Sequence, residues 1–444
     1  MNLIALAFIS ACCLVPLCAQ EAPRDFYSVP KADTPQLAAQ GRYSVGVRTL
    51  EMVHKDQVDI LKFDQATGKA PLYDRPLTVE VWYPATLATG QQERVIYPSA
   101  MPGVAPRTGG PSGFDIPGKA ARDAAPVVGQ RFPLVIVSHG YPGSRFFLSY
   151  LTENLASKGY VVAAIDHTDS VFGAVRPFSS TLLNRSTDQL FVLETLQKEG
   201  FVSRLVEPGN AAIVGYSMGG YGALISAGGG ISESSALNKF VPGGYLADWN
   251  RTNPKYKARQ RTGLKAIVAI APWGEQPPFG AWDSESLAGI HVPSLFIVGD
   301  HDDVAGFENG PKRAMELAVN SDRCLLVYEN ARHNTGGNPP PANVPLDYRA
   351  IQSFDEPVWR KDRIAAINQH FITAFLDLNL KGDQTKRGFL RVPLTHSNEG
   401  KWAVPPNTPD DGAFSKGEDF WPGFQRRWAL GLQMTCLEPG QLVK

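Results

Sequence analysis

The stretch "VGYSMGGYG", residues 214–222, sets one serine among glycines directly after an apolar run. A G-x-S-x-G sequence between a buried strand and a helix of small residues is the pattern of a nucleophile elbow. Its glycines allow a tight turn and close packing, and Ser217 would stand exposed at the strand's end. A serine hydroxyl is a weak nucleophile that needs a base, and the base needs an acid to orient it. The chain order expected for such an arrangement is Ser, then Asp or Glu, then His. "SLFIVGDHDDVAG" brings Asp300, Asp302 and Asp303 just past a strand, and "LLVYENARHNTGG" brings His333 into the loop after the next one. Asp302, the third residue beyond Gly299, is the expected acid, with Asp303 in reserve. The other reading of this acidic loop is a helix cap or a cation site. His139 opens a turn directly after a strand and is expected to support that loop. His54, His291, His370 and His396 have no strand-end placement. His167, in "IDHTDS", does stand at a strand end, where it either lines the substrate pocket or is a hydrogen-bonded loop histidine.

Acyl transfer passes through a tetrahedral oxyanion, which needs fixed backbone donors. The amide of Met218, the residue after the serine, is one candidate. The amide of Tyr141, in "HGYPGSR" after the strand "LVIVSHG", is the other. This chemistry needs no metal or organic cofactor, and no metal-ligand spacing stands out in the sequence.

The elements that must hold these residues are legible as short β-branched runs alternating with amphipathic segments. "YSVGVRTLEMV" and "LTVEVWYP" lie close together and suggest an antiparallel start. "FPLVIVSHG", "YVVAAIDH", "AAIVGYS", "KAIVAIAPW", "PSLFIVGD" and "LLVYEN" are nearly continuous in apolar residues, as strands buried on both faces are. Helical patterns follow in "FFLSYLTENLASKG", "STDQLFVLETLQKEG", the segment opening at Ser217, "ENGPKRAMELAVN" and "RIAAINQHFITAFLDLNL". The expectation is an α/β fold: a mostly parallel, eight-stranded sheet with helices on both faces. Ligands of such sheets bind at the carboxyl ends of the strands, where Ser217, Asp302 and His333 all fall. Residues 43–382 make the main domain. Outside the alternation lie a polar lead-in over 20–42, a cap-like insertion over 230–262, and a C-terminal extension over 383–444 rich in Trp, Pro and Phe.

With 43% hydrophobic and 19% charged residues the chain is of globular, not disordered, composition. Its 43 basic and 43 acidic side chains cancel, which argues against nucleic acid or an anionic membrane as partner and for a small ligand. The N-terminal "MNLIALAFISACCLVPLCAQEAPR" is too short to span a bilayer comfortably and ends near small residues. It is expected to be a signal peptide over residues 1–19, leaving a secreted or periplasmic protein without stable membrane insertion. Cys12, Cys13 and Cys18 then leave with it. In an oxidising compartment the remaining Cys324 and Cys436 suggest a disulfide pinning the C-terminal tail, the alternative being two separate buried thiols.

Taken together, "SHGYPGSRFFLSYLTENLASKGYVVAAIDHTDS", "GYSMGGYGALISA", "APWGE" and "GDHDD" resemble the serine α/β-hydrolases, specifically the group joining dienelactone-hydrolase-like, platelet-activating-factor-acetylhydrolase-like and cutinase-like polyester hydrolases. The resemblance implies an α/β-hydrolase fold, a Ser217–His333–Asp302 triad, and an oxyanion hole of the Tyr141 and Met218 amides. It also implies that Trp273 lines an acyl or aromatic subsite. Dienelactone hydrolases proper carry cysteine at the elbow, so Ser217 favours ester hydrolysis. The acid that acetylhydrolases can place after the preceding strand has no counterpart in "AIVAIAPW". The insertion and tail favour a partly lidded pocket for a short-chain acyl ester over an open cleft for a polymer. A serine peptidase, or a silent hydrolase fold acting as a secreted binding protein, are the competing readings.

Overall fold

The six continuous apolar runs become the centre of one sheet, and the buried pattern shows why: every residue of Phe132–Ser138, Ser294–Gly299 and Arg323–Tyr328 is buried. The computed structural model describes residues 26–101, 113–259, 263–342, 344, 346–402 and 407–442. The expected signal peptide lies outside the described residues. In chain order the strands are β1 Ser44–Val58, β2 Leu72–Thr86, the hairpin β3 Val95–Ala100 and β4 Gly113–Gly118, the two-residue β5 Ala121–Arg122 and β6 Ala125–Pro126, β7 Phe132–Ser138, β8 Val161–Asp166, β9 Val206–Tyr216, β10 Leu264–Ile270, β11 Ser294–Gly299, β12 Arg323–Tyr328 and β13 Leu432–Leu437. The main sheet runs β13-β12-β11-β10-β9-β7-β8-β2-β1-β5, with β6 paired to β2. From β8 to β12 all neighbours are parallel, while β1, β2 and β13 add antiparallel flanks.

All eight expected strands form in this sheet, but the described sheet has eleven. Two of the additional strands are two residues long, below the length at which any periodicity can register. The third, β13, comes from the C-terminal extension and pairs with β12 in a register that sets Cys436 opposite Cys324. A disulfide joins those two residues.

Alternate residues along each central strand feed two separate apolar layers. Val135 and Val137 face a layer filled by the helices α1 (Ser149–Ser157) and Lys361–Leu380, whereas Leu134 and Ile136 face α2 (Phe178–Lys198) and α3 (Met218–Ser226). Helices therefore cover both faces. The insertion contributes 3₁₀ turns at Ala236–Lys239 and Pro242–Trp249 and a short helix at Pro254–Arg259. Its Leu237, Leu246 and Trp249 are buried in the α2/α3 layer, and the Trp249 indole donates to the Leu183 carbonyl at 3.1 Å.

Candidate active site

Ser217 sits between the end of β9 and the start of α3 with φ 53° and ψ −115°, a conformation that costs a non-glycine residue of order 1–3 kcal/mol. Its surroundings hold it there. Its amide donates to the Ile270 carbonyl at 2.9 Å, and its carbonyl accepts from Tyr221 at 3.0 Å and from Trp273 at 3.2 Å. The elbow glycines are there for lack of space. A Cβ on Gly215 would lie 2.1 Å from the Gly219 carbonyl oxygen, and one on Gly219 would lie 2.0 Å from the Ser138 oxygen.

His333 reaches Ser217 from the loop after β12, its Nε2 lying 3.0 Å from the serine Oγ. Its Nδ1 is 2.8 and 3.0 Å from the two oxygens of Asp302, in the loop after β11. Facing a carboxylate, Nδ1 must carry the proton, which leaves Nε2 free to accept from the hydroxyl. The Asp302 carboxylate also accepts the amides of Val304 at 2.9 Å and Ala305 at 2.7 Å. Its two neighbours are engaged elsewhere. Asp300 accepts from the Asn330 amide at 2.7 Å, and Asp303 pairs with Arg332 at 2.7 Å.

Tyr141 lies in the loop after β7, and Met218 is the first residue of α3. Gly140 abuts Ser217 so closely that a Cβ there would come within 3.3 Å of the Ser217 Cβ. The Tyr141 ring packs on Phe178, Phe178 on Trp273, and Trp273 on Phe279, with centroids 5.0, 5.1 and 4.6 Å apart. Trp273, whose amide donates to the Ser217 carbonyl, belongs to this row of rings.

His167 is wholly buried, its Nε2 2.8 Å from the Ser138 hydroxyl and its Nδ1 2.9 Å from Asp188, the arrangement of a hydrogen-bonded histidine. Burial depresses its pKa well below the usual histidine range, so it stays neutral. Asp188 and Asp169 are gathered around Arg75, at 2.7 and 3.1 Å.

A family model described as platelet-activating factor acetylhydrolase, isoform II, matches residues 28–199, which takes in the Tyr141 loop and α2 and stops before Ser217. The cutinase est1 of Thermobifida alba is 25% identical over 201 residues, covering 45% of this chain and 52% of that protein. The bis(hydroxyethyl) terephthalate hydrolase of Streptomyces coelicolor is 23% identical over 203 residues, 46% of this chain and 50% of that one. The chain is thus similar to acetylhydrolases and cutinases, the group its motifs resemble. It spans about half the length of these curated relatives. A ferulic acid esterase from Streptomyces cinnamoneus superimposes with a TM-score of 0.49 at 22% identity, over 79% of this chain and 94% of that chain.

Several residues that hold the loops of this site carry no motif. Glu356 accepts the amides of Arg332 at 2.7 Å and Asn334 at 2.6 Å, bracketing His333 on both sides. Burial raises its pKa, partly opposed by those same amides. Lys361 donates to the Asn334 carbonyl from the next helix. Gln276 ties the Trp273 loop to the Asp302 loop by accepting from Gly274 at 2.8 Å and donating to the Val304 carbonyl at 3.0 Å. In the sequence each is a polar residue outside any motif, with distant or backbone partners. The one available signal is that Glu356 and Lys361 flank the start of the last long helix.

Proposed function

We propose that the chain is a secreted serine carboxylic-ester hydrolase that works through an acyl-enzyme on short-chain acyl esters. The observation that carries this reading is the Asp302–His333–Ser217 chain, with contacts of 2.8 and 3.0 Å, at a positive-φ elbow. In the first step Ser217 Oγ bonds to the acyl carbon as His333 Nε2 takes its proton. The carbonyl electrons move onto oxygen, where the Met218 and Tyr141 amides are the proposed donors. As the ester C–O bond breaks, His333 returns the proton to the departing alcohol. Water then attacks the acyl-serine with His333 again as base, and the acid leaves. Asp302 keeps Nδ1 protonated and steadies the imidazolium.

The relatives named for cutin and for bis(hydroxyethyl) terephthalate support an ester over a peptide bond. The rings of Trp273, Phe178 and Phe279 support a compact acyl pocket, and a terephthalate ester is the natural aromatic test of it. The disulfide between Cys324 and Cys436 supports an oxidising compartment, in keeping with cleavage of residues 1–19.

Hydrolysis of p-nitrophenyl acetate, butyrate, octanoate and palmitate by the protein from residue 20 onward tests the proposal, with Ser217→Ala as control. Turnover of the short esters that falls about 10³-fold or more in Ser217→Ala is the expected outcome. Turnover that survives the substitution would sink the mechanism, and a preference for palmitate would sink the short-chain pocket.

A further inference from the structure

Beneath the Tyr141 loop lies a buried cation with no carboxylate partner of its own among the described residues. Arg185, on α2, is 1% exposed. The nearby Asp169 and Asp188 give their ion pairs to Arg75. The Arg185 guanidinium instead donates to the His139 carbonyl, to the Gly140 carbonyl at 3.4 Å from two nitrogens, and to the Ser170 hydroxyl at 2.6 Å, while its Nε has no partner among the described residues. Burying a charge costs several kcal/mol unless something offsets it. The fold nevertheless makes room for it. A Cβ on Gly222 of the nucleophile helix would lie 2.7 Å from the Arg185 Cγ.

The carbonyls it holds belong to the loop in front of the nucleophile. The Gly140 oxygen also accepts from His139 Nδ1 at 2.8 Å. His139 must donate there, because its Nε2 accepts the His167 amide at 3.3 Å and burial keeps the ring neutral. In a trans peptide the C=O and the following N–H point in opposite directions. Fixing the Gly140 carbonyl inward therefore fixes the Tyr141 N–H outward. One turn further along α2, Gln189 donates to the Gly219 carbonyl at 2.9 Å, so the same helix also holds the start of α3, where Met218 lies.

We infer that Arg185 is a positioning residue for the oxyanion-binding amide of Tyr141, holding the 140–141 peptide so that its N–H faces the cleft at Ser217. This rests on the serine-esterase reading above. A preorganised donor acts on the tetrahedral oxyanion far more than on the bound ester, so its loss lowers kcat with little change in KM.

The test compares wild type with Arg185→Met, Arg185→Lys and Gly222→Ala on p-nitrophenyl butyrate. It adds inhibition by a trifluoromethyl ketone, whose adduct with Ser217 carries the same oxyanion. Arg185→Met is expected to lower kcat about 10- to 100-fold and raise the ketone Ki by a similar factor, with KM within about threefold. Arg185→Lys, which keeps a charged donor, recovers much of the loss. Gly222→Ala, whose Cβ would crowd Arg185 Cγ and Gln189 Nε2, each at 2.7 Å, without removing either side chain, shows a smaller loss with the same signature. Equal kcat and Ki in wild type and Arg185→Met would overturn the assignment, as would a kcat loss with the ketone Ki unchanged. If Arg185→Met does not fold, wild-type values of both constants in Gly222→Ala overturn it instead. Turnover that persists in Ser217→Ala would defeat the esterase reading itself, and this assignment with it.

Discussion

Three aspartates within four residues compete for one histidine, and the hydrogen bonds separate them. Asp302 places both oxygens on His333 Nδ1, while Asp300 is committed to the Asn330 amide and Asp303 to Arg332. Asp302→Asn leaves the geometry but offers Nδ1 an amide in place of a carboxylate. It is expected to lower kcat about 10³- to 10⁴-fold, with Asp303→Asn within about threefold of wild type. Steady-state kinetics on p-nitrophenyl butyrate decide it, and a larger loss in Asp303→Asn would reassign the acid. The spacing past Gly299 was enough to favour Asp302 in the sequence. The same strand-end logic left His167 open between lining the pocket and being a hydrogen-bonded histidine, because residue type and placement do not reveal that its side chain is buried against Asp188 and Ser138.

At the scale of elements, the lead-in shows how far a non-periodic segment can be committed to the fold. Ser28 donates to Glu153 at 2.6 Å, Asn154 donates to the Ala38 carbonyl at 2.9 Å, and the Leu37 amide donates to His370 Nδ1 at 3.1 Å. Burial, helped by the nearby Lys158 charge, lowers the His370 pKa to about 3. The unfolded chain protonates this group near its ordinary value of about 6.5, so between those values only the unfolded state gains the proton. The stability due to neutral His370 is therefore complete above about pH 6.5 and is lost as pH falls towards 3. Thermal unfolding of wild type and His370→Gln at pH 7 and pH 4.5 isolates this effect, since other titrating groups are common to both. Wild type is expected to lead at pH 7 and to lose ground at pH 4.5. A gap that does not change with pH would show that His370 is not held neutral.

For the molecule as a whole, the C-terminal extension is part of the sheet. Strand β13 closes the edge at β12, and the disulfide across this pair encloses a chain separation of 112 residues. Trp421 and Phe424 pack against Phe371 of the helix Lys361–Leu380, so the tail also covers one apolar layer. In the chain-entropy account, a cross-link over a loop of this length stabilises by about 2–5 kcal/mol. Cys436→Ser is expected to lose that much in urea unfolding, and reductant should lower wild-type stability towards the variant's without affecting the variant. Equal stability of the two oxidised proteins would show that the edge pairing holds without the bridge.

The sequence alone determined what is local or periodic. Continuous apolar runs specify strands buried on both faces, and glycines around a serine specify a turn with no space for side chains. The placement of Ser217, Asp302 and His333 just past the carboxyl ends of strands follows from the parallel sheet those runs specify. The tertiary structure decided what depends on partners distant in the chain. It set which aspartate meets His333, which strand takes the tail, that His167 faces the core, and that Arg185 and Glu356 hold the loops of the site. Those residues bind backbone carbonyls and amides, which every residue carries, so nothing in the type of their partners marks the contact in the sequence. Only the packing of α2 and the last long helix against the sheet brings them together.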